Sequence, residues 1–294
     1  MLICVKSNGK INIGLNIVEK LPNGYHNLDM VMIPISLADE LKINFKEKSP
    51  EKKGNLSIFS NIKDIPTDER NILWKIYDAF YNFTKLEREE IEVYLYKVIP
   101  HEAGLGGGSS NGAFFLNELN KFHKNVLSDD ELIAIGKSVG ADIPFFIKNY
   151  PCRVRGIGEK LEKIENNLSC DIVLVKPQYF GVSTKEAYSL YSSLTEKKEA
   201  NIEKIIKGLK ENDLKAVKKY SENILEQGLL LSNKNIQNFR NELKELEQKC
   251  DVKFFMSGSG SCYYSFVPKG EGKKYAELLK TKLSNCQIHT CSFL

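Results

Sequence analysis

Pro100–Asn111 reads PHEAGLGGGSSN, and the fold turns on how this stretch is read. Four glycines (Gly104, Gly106, Gly107 and Gly108) let backbone amides approach an anion with no side chain in the way. Ser109, Ser110 and Asn111 follow at the expected start of a helix, near Ser109, where free N–H groups and the helix dipole favour phosphate. The hydroxyls offer further hydrogen bonds, and the arrangement suits a triphosphate. No lysine follows the glycines before Lys121, so this is not a Walker A loop, and no set of its glycines has GxGxxG spacing. P-loop and dinucleotide-binding folds are thereby disfavoured. A mobile glycine-rich hinge is the alternative, and the strand–loop–helix setting speaks against it.

Working outward, IEVYLYKV from Ile91 alternates as a half-buried strand and runs into Pro100. Upstream, INIGLNIV near Ile11, VMIPIS near Val31 and LKINF from Leu41 read as three strands. From Asn71, Leu73, Ile76, Tyr77 and Phe80 fall at helical spacing. Downstream, Ser128 and Glu131 form a capping box for a helix that stops at Gly140. GADIPFF (Gly140–Phe146) then turns the chain, and CRVRGIG from Cys152 is a strand. The charged, Asn-rich stretch Leu161–Ser169 is a candidate boundary. Beyond it come a strand at Asp171 and amphipathic helices between Ser183 and Lys249, the last with an Ile236, Phe239, Leu243, Leu246 stripe. A strand KFFMSGSGSCYYSFV, a helix from Gly272 and a strand at Cys286 follow. The pattern predicts an α+β architecture of two lobes.

Composition bounds the function. The chain has 294 residues, comfortable for two cores, with 42% hydrophobic and 27% charged residues. A net charge of +4 without a basic tail argues against a nucleic-acid partner. No apolar run is long enough to span a membrane, and the first ten residues do not look like a secretory signal. Seven scattered cysteines without a CxxC pair read as reduced, mostly buried thiols in a cytoplasmic protein. The four histidines have no metal spacing.

PHEAGLGGGSSN resembles the second motif of the GHMP kinases. GKINIGLNI (Gly9–Ile17) and MSGSGSCYYSF (Met256–Phe266) resemble the first and last family motifs, in the family's order. Within that superfamily, NGYHNLDMVMIPISLADEL (Asn23–Leu41), GADIPFF, GIGEKL (Gly156–Leu161) and VSTKEAY (Val182–Tyr188) are similar to the 4-diphosphocytidyl-2-C-methyl-D-erythritol kinase family. The resemblance covers nearly the full chain. It departs where Gly9 and Gly112 replace the family's usual alanines, and His101-Glu102 is an uncommon lead into the loop.

The resemblance implies an N-terminal lobe like the second domain of a small-subunit ribosomal protein and a ferredoxin-like C-terminal lobe. Residues 1–163 would be the ATP-binding domain and 164–294 the substrate-side domain. It implies transfer of the γ-phosphoryl group of ATP to the 2-hydroxyl of the cytidylated methylerythritol, with Mg2+ whose ligands the sequence does not name. A cytoplasmic monomer or weak homodimer, binding no nucleic acid or membrane, is expected. Another GHMP kinase, of homoserine or mevalonate type, and a non-catalytic nucleotide- or sugar-phosphate-binding regulator on the same fold are the alternatives.

The implied catalytic pair is Lys10 and Asp142, with Asp142 taking the proton of the substrate hydroxyl and Lys10 keeping it ionised. An Asx turn before Pro144 and a solvated strand-end lysine are the plain readings of the same two residues. For ATP the resemblance implies Asn71 and Lys97 near the adenosine, with Pro100, Gly104, Leu105, Gly106, Gly107, Gly108, Ser109, Ser110 and Asn111 around the phosphates. For substrate it implies Asn12, on the same strand face as Lys10, together with Thr184 and the cytosine-recognising Tyr25, His26 and Tyr188. Aromatic stacking is worth about 1–3 kcal/mol per base whatever the base, so hydrogen bonding by His26 would supply base choice. Core packing is the alternative for the two tyrosines. Gly258 and Gly260 in the last motif would shape the site by close backbone approach, with a plain hairpin bend as the alternative.

Overall fold

The structure is a computed structural model that describes residues 1–22, 24–47, 54–191, 194 and 196–294. Asn23, at the head of the expected substrate motif, lies outside the described residues. Two long strands come first, β1 (Leu2–Lys20) and β2 (His26–Phe45). Then follow β3 (Leu56–Ser60), α1 (Ile72–Thr84), β4 (Ile91–Tyr96), α2 (Gly107–Phe122), α3 (Asp129–Val139) and α4 (Ile143–Lys148). β5 (Cys152–Gly156), β6 (Lys160–Lys163) and β7 (Asp171–Pro177) lead to five helices: α5 (Thr184–Tyr191), α6 (Ile202–Lys210), α7 (Leu214–Tyr220), α8 (Ile224–Ser232) and α9 (Lys234–Lys249). β8 (Phe254–Met256), β9 (Tyr263–Val267), α10 (Gly272–Lys280) and β10 (Cys286–Cys291) complete the described elements. The α+β expectation holds.

These elements form two compact units, each discontinuous in sequence. The first comprises Met1–Gly9, Ala38–Ile99 and Gly106–Asn149, the second Lys10–Leu37, Pro100–Leu105 and Tyr150–Leu294. β1, β2 and the glycine loop each contribute residues to both units.

In the first unit β4 pairs antiparallel with Glu40–Phe45 of β2 and parallel with β3. Its alternation is as the sequence predicts, with Ile91, Val93 and Leu95 buried and Tyr94 and Tyr96 exposed. Helices α1 to α4 enclose Phe80, Phe115, Phe145 and Phe146, all essentially inaccessible. Burying side chains of this kind stabilises by about 1.5–3 kcal/mol each. The Ser128–Glu131 capping box is present, and α3 ends at Gly140. Two local readings change. Helix α2 begins at Gly107 rather than near Ser109, because Gly106 adopts a left-handed φ of +70° that delivers the chain into the helix early. GADIPFF is no mere turn, since Pro144 sits in the first turn of α4, where its missing N–H costs nothing.

In the second unit Leu28–Met32 of β2 pairs with β5, which pairs with β6. A separate antiparallel sheet has the order β10-β7-β9-β8. The α9 stripe of Ile236, Phe239, Leu243 and Leu246 is buried as predicted. KFFMSGSGSCYYSFV is not one strand but a hairpin of β8 and β9, reversed by Gly258 and Gly260 at φ +55° and +80°. VMIPIS and LKINF, conversely, belong to one strand, β2. Its backbone stays paired across the polar Ser36–Glu40 step, through Ser36 N–H to the Ser292 carbonyl and through Glu40 opposite Tyr96. All seven cysteines are free thiols and four are buried. Among the described residues no helix is long and apolar enough to cross a membrane.

Candidate active site

The half of the glycine loop in the first unit is fixed by side chains that point inward. Ser110 is fully buried and donates its hydroxyl to the Asn8 carbonyl at 2.6 Å. Asn111 donates to Ser7 Oγ at 2.7 Å and to Asp39 Oδ2 at 2.9 Å, and accepts from Lys97 Nζ at 3.0 Å. Asp39 is wholly inaccessible and accepts from the amides of Val98 and Ile99 at 2.7 and 2.8 Å, while its other oxygen pairs with the Lys97 ammonium. Asp39 therefore ties the end of β4 to the start of α2. Sequence reading missed it, although its place at the polar step inside an apolar strand pattern was a usable signal.

With the Ser110 and Asn111 side chains turned inward, the start of α2 presents mainly its backbone N–H groups and the partly exposed Ser109. An added Cβ at Gly108 would meet nothing within 4 Å, so this face of the loop is open. At Gly107 a Cβ would lie 3.0 Å from Ile99 and 3.2 Å from Lys97 Nζ. Lys97, expected near the adenosine, has its ammonium at the foot of this loop. Asn71 is the N-cap of α1, its Oδ1 accepting from Leu73 N–H at 2.9 Å and its Nδ2 donating to the Pro66 carbonyl at 2.6 Å.

The Pro100–Leu105 half belongs to the second unit and is held through its backbone carbonyls. Gly104 has φ +69°, and a Cβ there would lie 2.0 Å from the Ser257 carbonyl oxygen. Its own carbonyl accepts from Lys10 Nζ at 2.9 Å and from Ser257 Oγ at 3.0 Å. Lys10 Nζ also donates to Asn12 Oδ1 at 2.6 Å, so the two share a strand face as predicted. Gly258 leaves room for this cluster, since a Cβ there would come within 3.1 Å of Lys10 Nζ. Amides of the hairpin turn meet the arm directly, Ser261 N–H reaching the Glu102 carbonyl at 3.2 Å and Cys262 N–H the Ala103 carbonyl at 3.3 Å. Ser257, which sequence reading passed over, is thus the side chain that bolts the last motif to the loop.

Asp142 belongs to the first unit and occupies the N-cap position of α4 without using its side chain as a cap.

Tyr25, His26, Thr184 and Tyr188 all belong to the second unit. Tyr25 is 59% exposed, at the end of a turn closed by Leu21 N–H to the Tyr25 carbonyl at 2.8 Å. His26 opens β2, its ring 5.0 Å from that of Tyr188 and edge-on to Tyr191 at 6.2 Å. Its Nε2 is buried without a hydrogen-bond partner. Burial, helped by the charge of Lys20, pushes the imidazole below its ordinary pKa, so it is neutral at pH 7. Thr184 starts α5 and its hydroxyl lies 3.1 Å from that of Ser259 in the glycine hairpin.

Residues 71–149 match the GHMP kinases N terminal domain family. The chain is 48% identical to the 4-diphosphocytidyl-2-C-methyl-D-erythritol kinase of Fusobacterium nucleatum over 285 residues, covering 97% of this chain and 95% of that one. The enzyme of the same name from Clostridium tetani is 38% identical and covers 90% of each. Among solved structures, a 4-(cytidine 5'-diphospho)-2C-methyl-D-erythritol kinase superposes with a TM-score of 0.78 at 23% identity, over 99% of both chains. A homoserine kinase from Cytophaga hutchinsonii gives 0.74 at 16% identity, over 99% of this chain and 95% of that one. The fold is therefore shared across kinases of different alcohols, and the fold by itself does not choose among them.

Proposed function

The chain belongs to the 4-diphosphocytidyl-2-C-methyl-D-erythritol kinase family of GHMP kinases, and on that premise we propose that it phosphorylates the 2-hydroxyl of that cytidylated alcohol with ATP. The observation that carries the substrate side is His26. A neutral imidazole with a buried, unpartnered Nε2, flanked by the rings of Tyr188 and Tyr191, is a polar atom prepared for a ligand. Neutral imidazole can complement the polar edge of an uncharged base, and exposed Tyr25 offers a ring face for stacking. Homoserine and mevalonate carry no base for such a set of side chains to recognise.

In the reaction the substrate hydroxyl oxygen attacks the γ-phosphorus, the bond from that phosphorus to the β,γ-bridging oxygen breaks, and ADP leaves. Asp142 takes the hydroxyl proton, and Lys10 offsets charge on the transferring group. Because such transition states are loose, positioning outweighs base strength. Backbone N–H groups of Gly106, Gly107, Gly108 and Ser109 cradle the phosphates, and Pro100, Leu105, Asn71 and Lys97 shape the nucleotide side. Asn12 and Thr184 contact the substrate. A divalent cation, normally magnesium, would be held chiefly by the phosphate oxygens of ATP. It would supply positive charge that offsets the charge of the transferring phosphoryl group. Free thiols agree with a reducing cytoplasm.

A coupled ADP-release assay comparing the cytidylated methylerythritol with homoserine and mevalonate tests this directly. Turnover of the cytidylated alcohol alone is expected, and preference for either other alcohol overturns it. In the same assay Asp142→Ala should lose on the order of a hundredfold or more in kcat while binding ATP normally. His26→Ala should raise the KM for the cytidylated alcohol and leave that for ATP in place.

A further inference from the structure

Strand β7 is apolar and inaccessible from Ile172 to Val175, in an interior position of its sheet. The next residue is Lys176, only 6% exposed. A buried ammonium is costly unless a carboxylate offsets it, and a methionine would fill the same space without that penalty. Among the described residues Lys176 has no ion-pair partner. Its Nζ instead donates to two carbonyls of the turn that follows, Pro177 at 2.8 Å and Phe180 at 2.7 Å. The groups facing it are the Glu102 carboxylate and the Cys262 and Cys286 thiols, and burial pushes its pKa below the ordinary lysine value.

The Phe180 carbonyl is shared. It also accepts from Ser261 Oγ, in the glycine hairpin, at 3.3 Å. At the next residue, Gly181, a Cβ would lie 2.1 Å from the Glu102 carboxylate, so the turn is pressed against the Pro100–Leu105 arm. Three residues on, Thr184 starts α5 and meets Ser259 of the same hairpin. The path from β7 to α5 is thereby pinned at Phe180 and at Thr184 to one glycine turn. Lys176 is the charged pin.

We propose that Lys176 is a positioning residue: it fixes the Pro177–Phe180 turn and so sets Thr184 and Tyr188 for binding the cytidylated alcohol. The inference rests on the substrate role given above to those two residues. A charge-assisted bond to a carbonyl is roughly twice as strong as a neutral one, which is what an ammonium supplies here and a methionine does not.

The test is steady-state kinetics of the full-length protein, varying each substrate in turn, with thermal unfolding alongside. Lys176→Met should raise the KM for the cytidylated alcohol about tenfold or more, with kcat and the KM for ATP within about twofold. Its melting temperature should be unchanged or higher, because a buried charge has been removed. Ser261→Ala should shift the same KM. The double variant should fall short of the product of the two effects, since both act on one carbonyl. Lys176→Gln, which keeps a donor, should give an intermediate KM and carries the test should the methionine variant not fold. An alcohol KM within about twofold of wild type in whichever variant folds overturns the proposal, as does an equal rise in both KM values. If the wild-type protein itself is silent on the cytidylated alcohol, the substrate reading fails; an active wild type with unaltered variants removes only the role of Lys176.

Discussion

In the Pro100–Leu105 half of the glycine loop the hydrogen bonds to the loop end on backbone carbonyls, from backbone amides and from the Lys10 and Ser257 side chains, and a hydrogen atom in place of a side chain at Gly104 is the requirement. Gly104 lies so close to the Ser257 carbonyl that a single added carbon collides with it. In the Gly106–Asn111 half the requirement is charge and hydrogen bonding. Asn111 is gripped by a carboxylate, an ammonium and a hydroxyl, all belonging to the first unit. One continuous motif therefore leans on two physical rules, close backbone approach foremost at Gly104 and the grip of charged and polar side chains foremost at Asn111. A reader of the sequence sees only glycines followed by polar residues.

The comparison breaks most visibly at Asp39. Asp39→Ala leaves the Lys97 ammonium and two backbone amides without their acceptor, and stability should fall by about 3–5 kcal/mol. Urea unfolding measures this, and a loss near zero would mean the second half is not held by charge. Next comes Gly104→Ala, where the left-handed backbone and the collision act together. A cost of about 1–3 kcal/mol is expected, with kcat/KM falling because the carbonyl that receives Lys10 is displaced. Wild-type kinetics in that variant would contradict the steric rule. The smallest effect has the opposite sign. A Cβ at Gly112, inside α2, would sit 3.4 Å from Ile72 and Ile76, ordinary contact distance. Gly112→Ala should therefore stabilise by about 0.5–1 kcal/mol, read as a raised melting temperature with activity retained.

What the sequence made legible was local. The Ser128–Glu131 box, the alternation of β4 and the stripe of α9 each depend on residues within a few positions, and all three are present. The glycine loop was legible for the same reason. Long-range partnerships were not. Asp39 serves Lys97 and Asn111, 58 and 72 positions away, and no periodicity announces such a pairing. The hairpin in KFFMSGSGSCYYSFV was legible only as an alternative bend at Gly258 and Gly260, because the flanking apolar residues read as one strand and mask two glycines whose positive φ reverses the chain. At the candidate site, Lys10 and Asn12 were predictable as neighbours because a strand puts alternate residues on one face. That Ser110 and Asn111 turn inward was not, since a helix start offers phosphate-facing and core-facing sides that composition does not distinguish.

The interleaving of the two units bears on how the chain is made. The first unit has all its residues once Asn149 has been synthesised. The second contains Lys10–Leu37, made before most of the first unit, yet Ile35 and Ser36 of that segment find their backbone partners in Phe293 and Ser292. The second unit therefore stays unlaced until that distant segment is made, with an apolar strand awaiting a partner encoded more than two hundred codons later. Contacts of such separation are slow to form, so this half of the molecule is where a nascent chain most needs shielding.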